Sequence, residues 1–273
     1  MEDNTFIFTD GTDPKMIEAY RKARETFKYF WREVSWEYRR IIPALNLACV
    51  KASFSEKDPE TGNDIVEHMW INDIDFDGDT VKGYLMNEPN NLTSIKADDY
   101  FEIPLNEISD WLFAITPSVK KQKGISSLFS SPKEPVPKAY GGFTIHKMRA
   151  DMATDAERKE HDSYWGLDFG DFNHIEVVHE QEEKPENLIE HPMSRNMRED
   201  FITFLKDYPD ELTHVDDHGY TLLHKETIAG NQSSVEVILK AGADKNQKTN
   251  NGKTALDFAR QLNWEHLIPV LEN

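Results

Sequence analysis

Carboxylates alternate along Asp73-x-Asp75-x-Asp77-Gly78, and a calcium-binding loop begins in this way. Such a loop needs a bidentate Glu at its twelfth position, where this chain has Tyr84. The Asp77-Gly78 pair also lies between two segments of alternating apolar residues, which is a strong signal of a β-hairpin. We therefore interpret the segment as a hairpin turn and assign no calcium site.

Histidines near carboxylates could form a hydrolytic or metal site, because they supply both proton-transfer groups and metal ligands. One such pair is Glu67 and His68. A later set contains His161, Asp162, Asp168, Asp171 and His174. A chain with 10 His and 50 Asp and Glu produces such neighbourhoods by chance, so we assign no active site to them. A hydrolase in the front part of the chain stays open as an alternative.

Cys49 is the only cysteine, which excludes an intrachain disulfide and a thiolate metal cluster. A cysteine becomes a nucleophile when a cationic setting lowers its pKa. Its neighbours Leu47, Ala48 and Val50 are apolar, so we expect a buried structural thiol. The sequence thus predicts no catalytic residue, no metal site and no cofactor, and a protein that is not an enzyme.

The charge balance is strongly acidic, with 31 Lys and Arg against 50 Asp and Glu and a formal net charge of -19. Such a field repels nucleic acid and anionic lipid and accelerates association with basic partners. The longest apolar stretch, Ile41 to Val50, is too short to cross a bilayer. The start at Met1 lacks the basic and apolar regions of a signal peptide, so we expect a cytoplasmic protein without nucleic-acid or membrane partners.

The front part, residues 1–115, has the pattern of one long helix followed by short strands. Apolar residues at three- and four-residue steps predict a helix from Pro14 to about Trp36, with Ile17 on its buried stripe. Alternating segments predict an antiparallel sheet, and Glu107 to Ile115 could be a strand or a helical turn. The predicted strands are Ala48–Phe54, Glu67–Ile71, Thr80–Met86 and Tyr100–Ile103.

The middle of the chain begins with a Lys-, Ser- and Pro-rich segment, residues 116–140, which we interpret as a mobile linker or as a loop tied over the domain. Residues 141–197 then form a connecting extension of the α+β domain. Within it we expect a helix from about Asp155 to Tyr164 and a possible strand from His174 to His179.

The C-terminal part, residues 198–273, contains a repeat with a spacing of 33 residues. Residues 219–224, Gly-Tyr-Thr-Leu-Leu-His, align with residues 252–257, Gly-Lys-Thr-Ala-Leu-Asp. This pattern resembles the ankyrin repeat, whose usual core is Gly-x-Thr-Pro-Leu-His. The chain departs from that core at Leu222, Ala255 and Asp257. The resemblance implies an all-α helical array of one full repeat flanked by two partial ones, the first of them at 198–208.

Ankyrin arrays bind proteins through their turn tips and concave helices, so the resemblance implies a partner-binding patch at the tips. Because about three repeats are needed for a continuous core, we expect the first helix of this short array to pack on the front domain. The candidate partner-binding residues are Asp216, Asp217, His218, Tyr220, Asn250, Asn251 and Lys253.

The front domain resembles the YegJ-like bacterial domain of unknown function over roughly residues 15–115. The resemblance rests on residues 50–54, 67–70, 83–85 and 108–111, which read Val-Lys-Ala-Ser-Phe, Glu-His-Met-Trp, Gly-Tyr-Leu and Ile-Ser-Asp-Trp. It implies a fold but no activity. The predicted fold class is therefore α+β, a small antiparallel sheet packed with helices, followed by a C-terminal all-α ankyrin-type helical array.

These observations favour a bacterial protein-binding protein. The leading hypothesis is an immunity or antitoxin-like protein that binds and occludes a basic toxin, such as a nuclease-like protein. The alternatives are a general ankyrin adaptor or scaffold and an uncharacterised hydrolase with an ankyrin targeting module.

Overall fold

The computed structural model describes residues 13–117 and 135–273, and the rest of the chain, including most of the predicted linker, lies outside the described residues. The helices are α1 (Pro14–Glu37), α2 (Phe143–Asp151), α3 (Asp155–Trp165), α4 (Pro192–Asn196), α5 (Arg198–Asp207), α6 (Leu222–Ile228), α7 (Gln232–Lys240), α8 (Ala255–Gln261) and α9 (Ile268–Glu272). The strands are β1 (Leu45–Lys57), β2 (Asp64–Phe76), β3 (Thr80–Leu85), β4 (Tyr100–Pro104), β5 (Ile108–Ile115) and β6 (Lys138–Gly141).

The six strands form one antiparallel sheet in the order β4-β3-β2-β1-β5-β6. The sheet confirms the predicted strands and resolves 107–115 as a short 3-10 turn followed by strand β5. Residues 138–140, at the end of the predicted linker, pair with β5 as part of β6. The predicted strand from His174 to His179 is wrong, because this segment has no strand structure. Its backbone contributes a single edge contact, the bond from Gly141 N–H to Glu176 O.

Helix α1 begins where the sequence predicts. Pro14 occupies the first turn, and the Asp13 side chain accepts a hydrogen bond from Lys15 N–H, which caps the helix. Its apolar stripe packs on the sheet face that carries Val50 and Trp111. The predicted stripe needs one correction, since Ile17 is 53% exposed and Met16 is buried in its place.

The opposite face of the sheet is covered by α2 and the loop after α3, which form a smaller core around Cys49, Leu112 and Phe169. Helix α2 was not predicted. Its start is fixed by Asp110, which is fully buried and accepts hydrogen bonds from the backbone N–H groups of Phe143 and Thr144. These bonds satisfy orphan donors at the helix start and favour a carboxylate there.

The C-terminal helices α5 to α9, together with the turns between them, form a unit that we call the C-terminal helical unit (residues 198–273). Helix α6 packs against α7 and α8 in this unit. The buried apolar residues of the C-terminal helical unit belong to the same continuous apolar cluster as those of α1 and the sheet. Both parts of the chain therefore share one core. Among the described residues, no helix combines the length and the apolar content needed to cross a membrane.

Candidate partner-binding surface

Two turns with the same construction start helices α6 and α8. Thr221 and Thr254 are the N-caps, and each forms a capping box with the residue three positions later. In the first box the His224 Nδ1 accepts from Thr221 N–H at 3.0 Å, so the other ring nitrogen donates to Gln247 O at 3.1 Å. In the second box Asp257 accepts from Thr254 N–H at 2.8 Å. Asp257 thus takes the capping role of the histidine that it replaces in the 33-residue repeat.

The tips of these turns, residues 216–219 and 250–252, are bonded to each other. Asn250 donates its backbone N–H to His218 O and its side-chain amide to Asp217 O, both at 2.9 Å. Gly219 has a φ of +81°, and a Cβ there would lie 2.8 Å from Asn250 N. A side chain at this position would therefore combine backbone strain with a clash. The tips form one rigid ledge rather than two independent loops.

Four of the seven predicted partner-binding residues are exposed on this ledge, namely Asp217, His218, Asn250 and Asn251. Asp216 is partly buried and forms an ion pair of 2.9 Å with Lys225. Its carboxylate also accepts from the backbone N–H groups of His218 and Tyr220. Asp216 therefore holds the turn in shape.

The other two predicted residues face into the molecule. Tyr220 is only 7% exposed and packs against Phe258, with ring centroids 5.7 Å apart. Lys253 forms an ion pair of 2.5 Å with Asp79 in the turn between β2 and β3 and donates to Gln261 at 2.6 Å. Their placement at an exposed tip was inferred from the repeat alone, which contains no information on the neighbouring hairpin.

The hairpin turn 77–79 contacts the C-terminal helical unit directly. Its Asp77 carboxylate accepts from the backbone N–H groups of Asp79 and Thr80, which confirms the predicted hairpin turn. Gly78 O accepts from the Gln261 amide at 2.7 Å. A Cβ at Gly78 would lie 2.5 Å from the Phe258 ring.

A second contact region, which we call the seam, joins α1 and the start of the loop after it to α6 and to the turns that follow α6 and α8. The Trp36 indole donates to Asn231 at 3.0 Å, and the Asn231 amide donates to the buried carboxylate of Glu226 at 2.9 Å. Arg39 completes this chain through an ion pair of 2.6 Å with Glu226. Trp264 is 1% exposed, lies edge-on against Tyr29 of α1 and donates to Ile228 O. The C-terminal helical unit, which carries the ledge, is thus joined to the front domain at two places.

A groove of about 310 Å³ opens between α1, the β2–β3 turn and the turn before α6. Trp31, Phe76 and Tyr220 supply aromatic surface to it, and Asp75 and Tyr38 lie on its front-domain side. Sequence reasoning missed this groove, because the segments that form it are far apart in the chain.

The residues considered for hydrolysis are not assembled into an active site in the part of the chain that the structure describes. His68 Nδ1 lies 3.1 Å from Ser109 Oγ, but that hydroxyl donates to Lys51 O. His161 is 3.2 Å from Asp162, whose carboxylate is ion-paired with Arg149.

A shallow cleft of about 400 Å³ near Asp162 also contains Asp168 and Asp171, but neither His161 nor His174 lines it. Arg149, Arg158 and Lys159 line the same cleft, so its carboxylates lie among cations.

Cys49 is fully buried, and burial raises the pKa of its thiol well above the usual value. The prediction of a structural thiol is confirmed.

One group of possible metal ligands was not anticipated. His174, Glu176 and Glu182 each place a ligand atom within 4.8 Å of the others. Glu176 is already ion-paired with the Lys138 ammonium, and His174 and Glu182 are exposed. The lysine supplies the positive charge that a metal would bring, so we assign no metal to this group.

Comparison with known proteins links both parts of the chain to bacterial relatives. A family model described as an uncharacterised protein conserved in bacteria (DUF2314) matches residues 13–169, and so extends through α3. A protein of Neisseria meningitidis serogroup B, provisionally named an ankyrin repeat protein, is 44% identical over 272 residues, covering 100% of this chain and 98% of that protein. The uncharacterised Escherichia coli (strain K12) protein YegJ is 28% identical over 108 residues, which is 39% of this chain and 63% of YegJ. These matches confirm the YegJ resemblance. No solved structure matches the chain significantly.

Proposed function

The chain belongs to the DUF2314 family, and from that premise we propose that it is a bacterial protein-binding protein whose C-terminal helical unit is an ankyrin-type module. The name of the Neisseria relative supports an interaction role for this unit. The observation that carries the proposal is the ledge, where exposed polar side chains stand on a backbone that is already held by cross-turn hydrogen bonds. A preformed surface binds at a lower entropic cost than a loop that must be ordered.

The partner is a basic protein. The net charge of -19 favours encounter with a cationic surface, and Asp217 on the ledge has no ion-pair partner among the described residues. In the more specific form of the proposal, the partner is a toxin of the nuclease-like type, and the chain is an immunity or antitoxin-like protein that occludes it. A stable complex of this kind would bury roughly 1,600 Å² in total.

A general adaptor or scaffold is the second candidate, because a surface of the same kind would serve a housekeeping partner. Partner identity separates the two. In both cases the chain acts by binding and not by catalysis.

The test is affinity capture of the tagged full chain from its native cells at low and at physiological salt, followed by mass spectrometry. Wild type is compared with Asp217→Arg/Asn251→Arg, and Glu60→Arg, exposed in the turn between β1 and β2, is the control for added charge. The proposal expects a stoichiometric basic protein that the control retains and the ledge variant loses. If that protein kills cells lacking this chain, the immunity form is supported, whereas several housekeeping proteins support the adaptor. Absence of any retained protein at both salt concentrations contradicts the proposal.

A further inference from the structure

The loop between α1 and β1, residues 38–44, carries Ile41, the most exposed large apolar side chain among the described residues, and two further exposed ones. Ile41 is 99% exposed, Ile42 is 81% exposed and Tyr38 is 62% exposed. A single exposed apolar residue is ordinary, but a contiguous apolar surface of this kind is typical of an interaction site. Burying an isoleucine side chain contributes about 1.5 to 3 kcal/mol. A partner that covers both isoleucines would therefore gain a large apolar contribution to its binding free energy.

The loop is held firmly at both ends. The Tyr38 hydroxyl donates to Ile74 O at 2.5 Å, so the phenol oxygen is turned inward while the ring is exposed. Arg40 is ion-paired with Glu33 and Glu37. Glu37 also accepts from the backbone N–H groups that follow Pro43, those of Ala44 and Leu45. The isoleucines are therefore presented on a fixed backbone, which lowers the entropic cost of binding.

The groove lies next to this loop. Tyr38 lines the groove, and Ile41 follows three residues later, so their Cα atoms lie within about 11 Å of each other. A volume of about 310 Å³ is at the lower end of the range for small-molecule pockets, which is about 300 to 1,000 Å³. The groove therefore has room for one or two side chains of a partner rather than for a cofactor.

The charges around the groove leave an excess of carboxylate. Its lysines are paired internally, Lys82 with Asp77 at 3.1 Å and Lys225 with Asp216 at 2.9 Å. The remaining cation, Arg39, is paired with Glu226 as described above. Asp75 and its neighbour Asp73 are exposed on strand β2, and neither is ion-paired with a described residue.

The titration of Tyr38 is consistent with this excess. Partial burial of its phenol, with Asp75 and Asp73 nearby, raises the pKa of Tyr38 to about 12. A cation entering the groove would meet the Asp75 carboxylate, which has no ion pair among the described residues, and aromatic rings that favour cations.

We propose that this groove and the loop 38–44 form one docking surface for a basic, aliphatic-rich segment of a protein partner. An arginine or lysine of the segment enters the groove beside Asp75 and Tyr38, and its aliphatic neighbours cover Ile41 and Ile42. This inference rests on the proposed function, because it names a second contact for the same partner, beside the ledge, where the front domain meets the turn before α6.

The experiment uses a displayed library of random 12-residue peptides, selected against the full chain. Recovered peptides are expected to combine Arg or Lys with adjacent aliphatic or aromatic residues. Their affinity should fall at least tenfold with Ile41→Ser/Ile42→Ser and about three- to tenfold with Asp73→Asn/Asp75→Asn. Asn tolerates the φ of +50° at residue 73, so the second variant removes charge without strain.

The matched control is Ile189→Ser, which removes an apolar side chain that is 53% exposed outside this surface. It should leave peptide affinity unchanged, and thermal melting of each variant checks the fold. Recovered peptides without a cation, or peptides that bind the loop variant as well as wild type, overturn the inference. Sedimentation that shows a dimer of wild type and a monomer of the loop variant overturns it as well, since a second copy would then be the occupant.

The two proposals can fail separately. If cellular capture succeeds and is lost only in the ledge variant, the chain is a protein-binding protein and the groove inference is wrong. If library peptides bind the groove but cells yield no partner, the proposed function fails while the surface remains.

Discussion

The seam and the ledge are built from similar polar residues, yet they differ in what those residues contact. In the seam, Asn231 and Glu226 are buried and bonded to Trp36 of α1 and to Arg39 just after it. On the ledge, Asp217 and Asn251 are exposed. Removing one partner of a buried pair leaves an unsatisfied group, whereas an exposed side chain exchanges its partner for water. Stability should therefore depend on the seam, and recognition on the ledge.

The largest difference is expected from truncating the indole of the seam. Trp264→Ala removes a buried ring that packs on Tyr29 and should lower the free energy of unfolding by about 3 to 5 kcal/mol. Chemical denaturation measures the loss. Trp165→Ala, at a half-buried site on the other face of the sheet, is the matched control and should cost less. If the two variants lost equal free energy of unfolding, the seam would contribute no more to stability than that face of the sheet does.

Acid should lower the free energy of unfolding through the buried histidines and not through the exposed ledge. Burial, with Arg149 nearby, lowers the pKa of His146 to about 4, against about 6.5 for an unfolded histidine. The unfolded state then binds more protons below pH 6.5, so the free energy of unfolding falls as the pH decreases from 6.5 towards 4. At pH 5, the lowered pKa of His146 reduces the free energy of unfolding by about 2 kcal/mol.

This pH dependence is checked by denaturation at pH 7 and at pH 5. His146→Gln should reduce the difference between the two pH values. His218→Gln, at an exposed ledge position, should leave that difference as in wild type. An unchanged pH dependence in the first variant would show that His146 is not held neutral in the folded state.

The two capping boxes allow a finer comparison within the repeat. Thr221 is 6% exposed and bonds to the buried His224, whereas Asp257 in the second box is exposed. Thr221→Ala should cost about 1 to 2 kcal/mol and Thr254→Ala about 0.5 to 1 kcal/mol. Parallel denaturation of the two variants measures the difference, and a reversed order would contradict the role given to burial.

The smallest effect on stability is expected at the ledge. Asp217→Ala/Asn251→Ala should change the free energy of unfolding by no more than about 0.5 kcal/mol, because neither side chain is buried. The same variant should weaken partner capture. Asn250→Ala is a useful contrast, since it removes the amide that bonds to Asp217 O and should destabilise the turn.

The sequence predicted local structure well because local signals determine it. The stripe and cap of α1, the Asp77-Gly78 turn and the Thr caps of the repeat all depend on residues within one or two turns of each other. Helix α2 was missed because its start depends on Asp110, which lies 33 and 34 residues before the N–H groups that it accepts from. Tyr220 and Lys253 were placed at exposed tips because the repeat pattern contains no information on the β2–β3 turn that covers them.

The contact between α1 and Trp264 also has a consequence for folding during synthesis on the ribosome. Lys28 donates to Asn263 O across 235 residues of sequence, so the first helix leaves the ribosome long before its partner is synthesised. Until then α1 can pack on the sheet and on α2, but the Tyr29 ring lacks its Trp264 partner. Closing a contact of such long range is slow. During synthesis, this part of α1 is therefore the surface that a chaperone would shield.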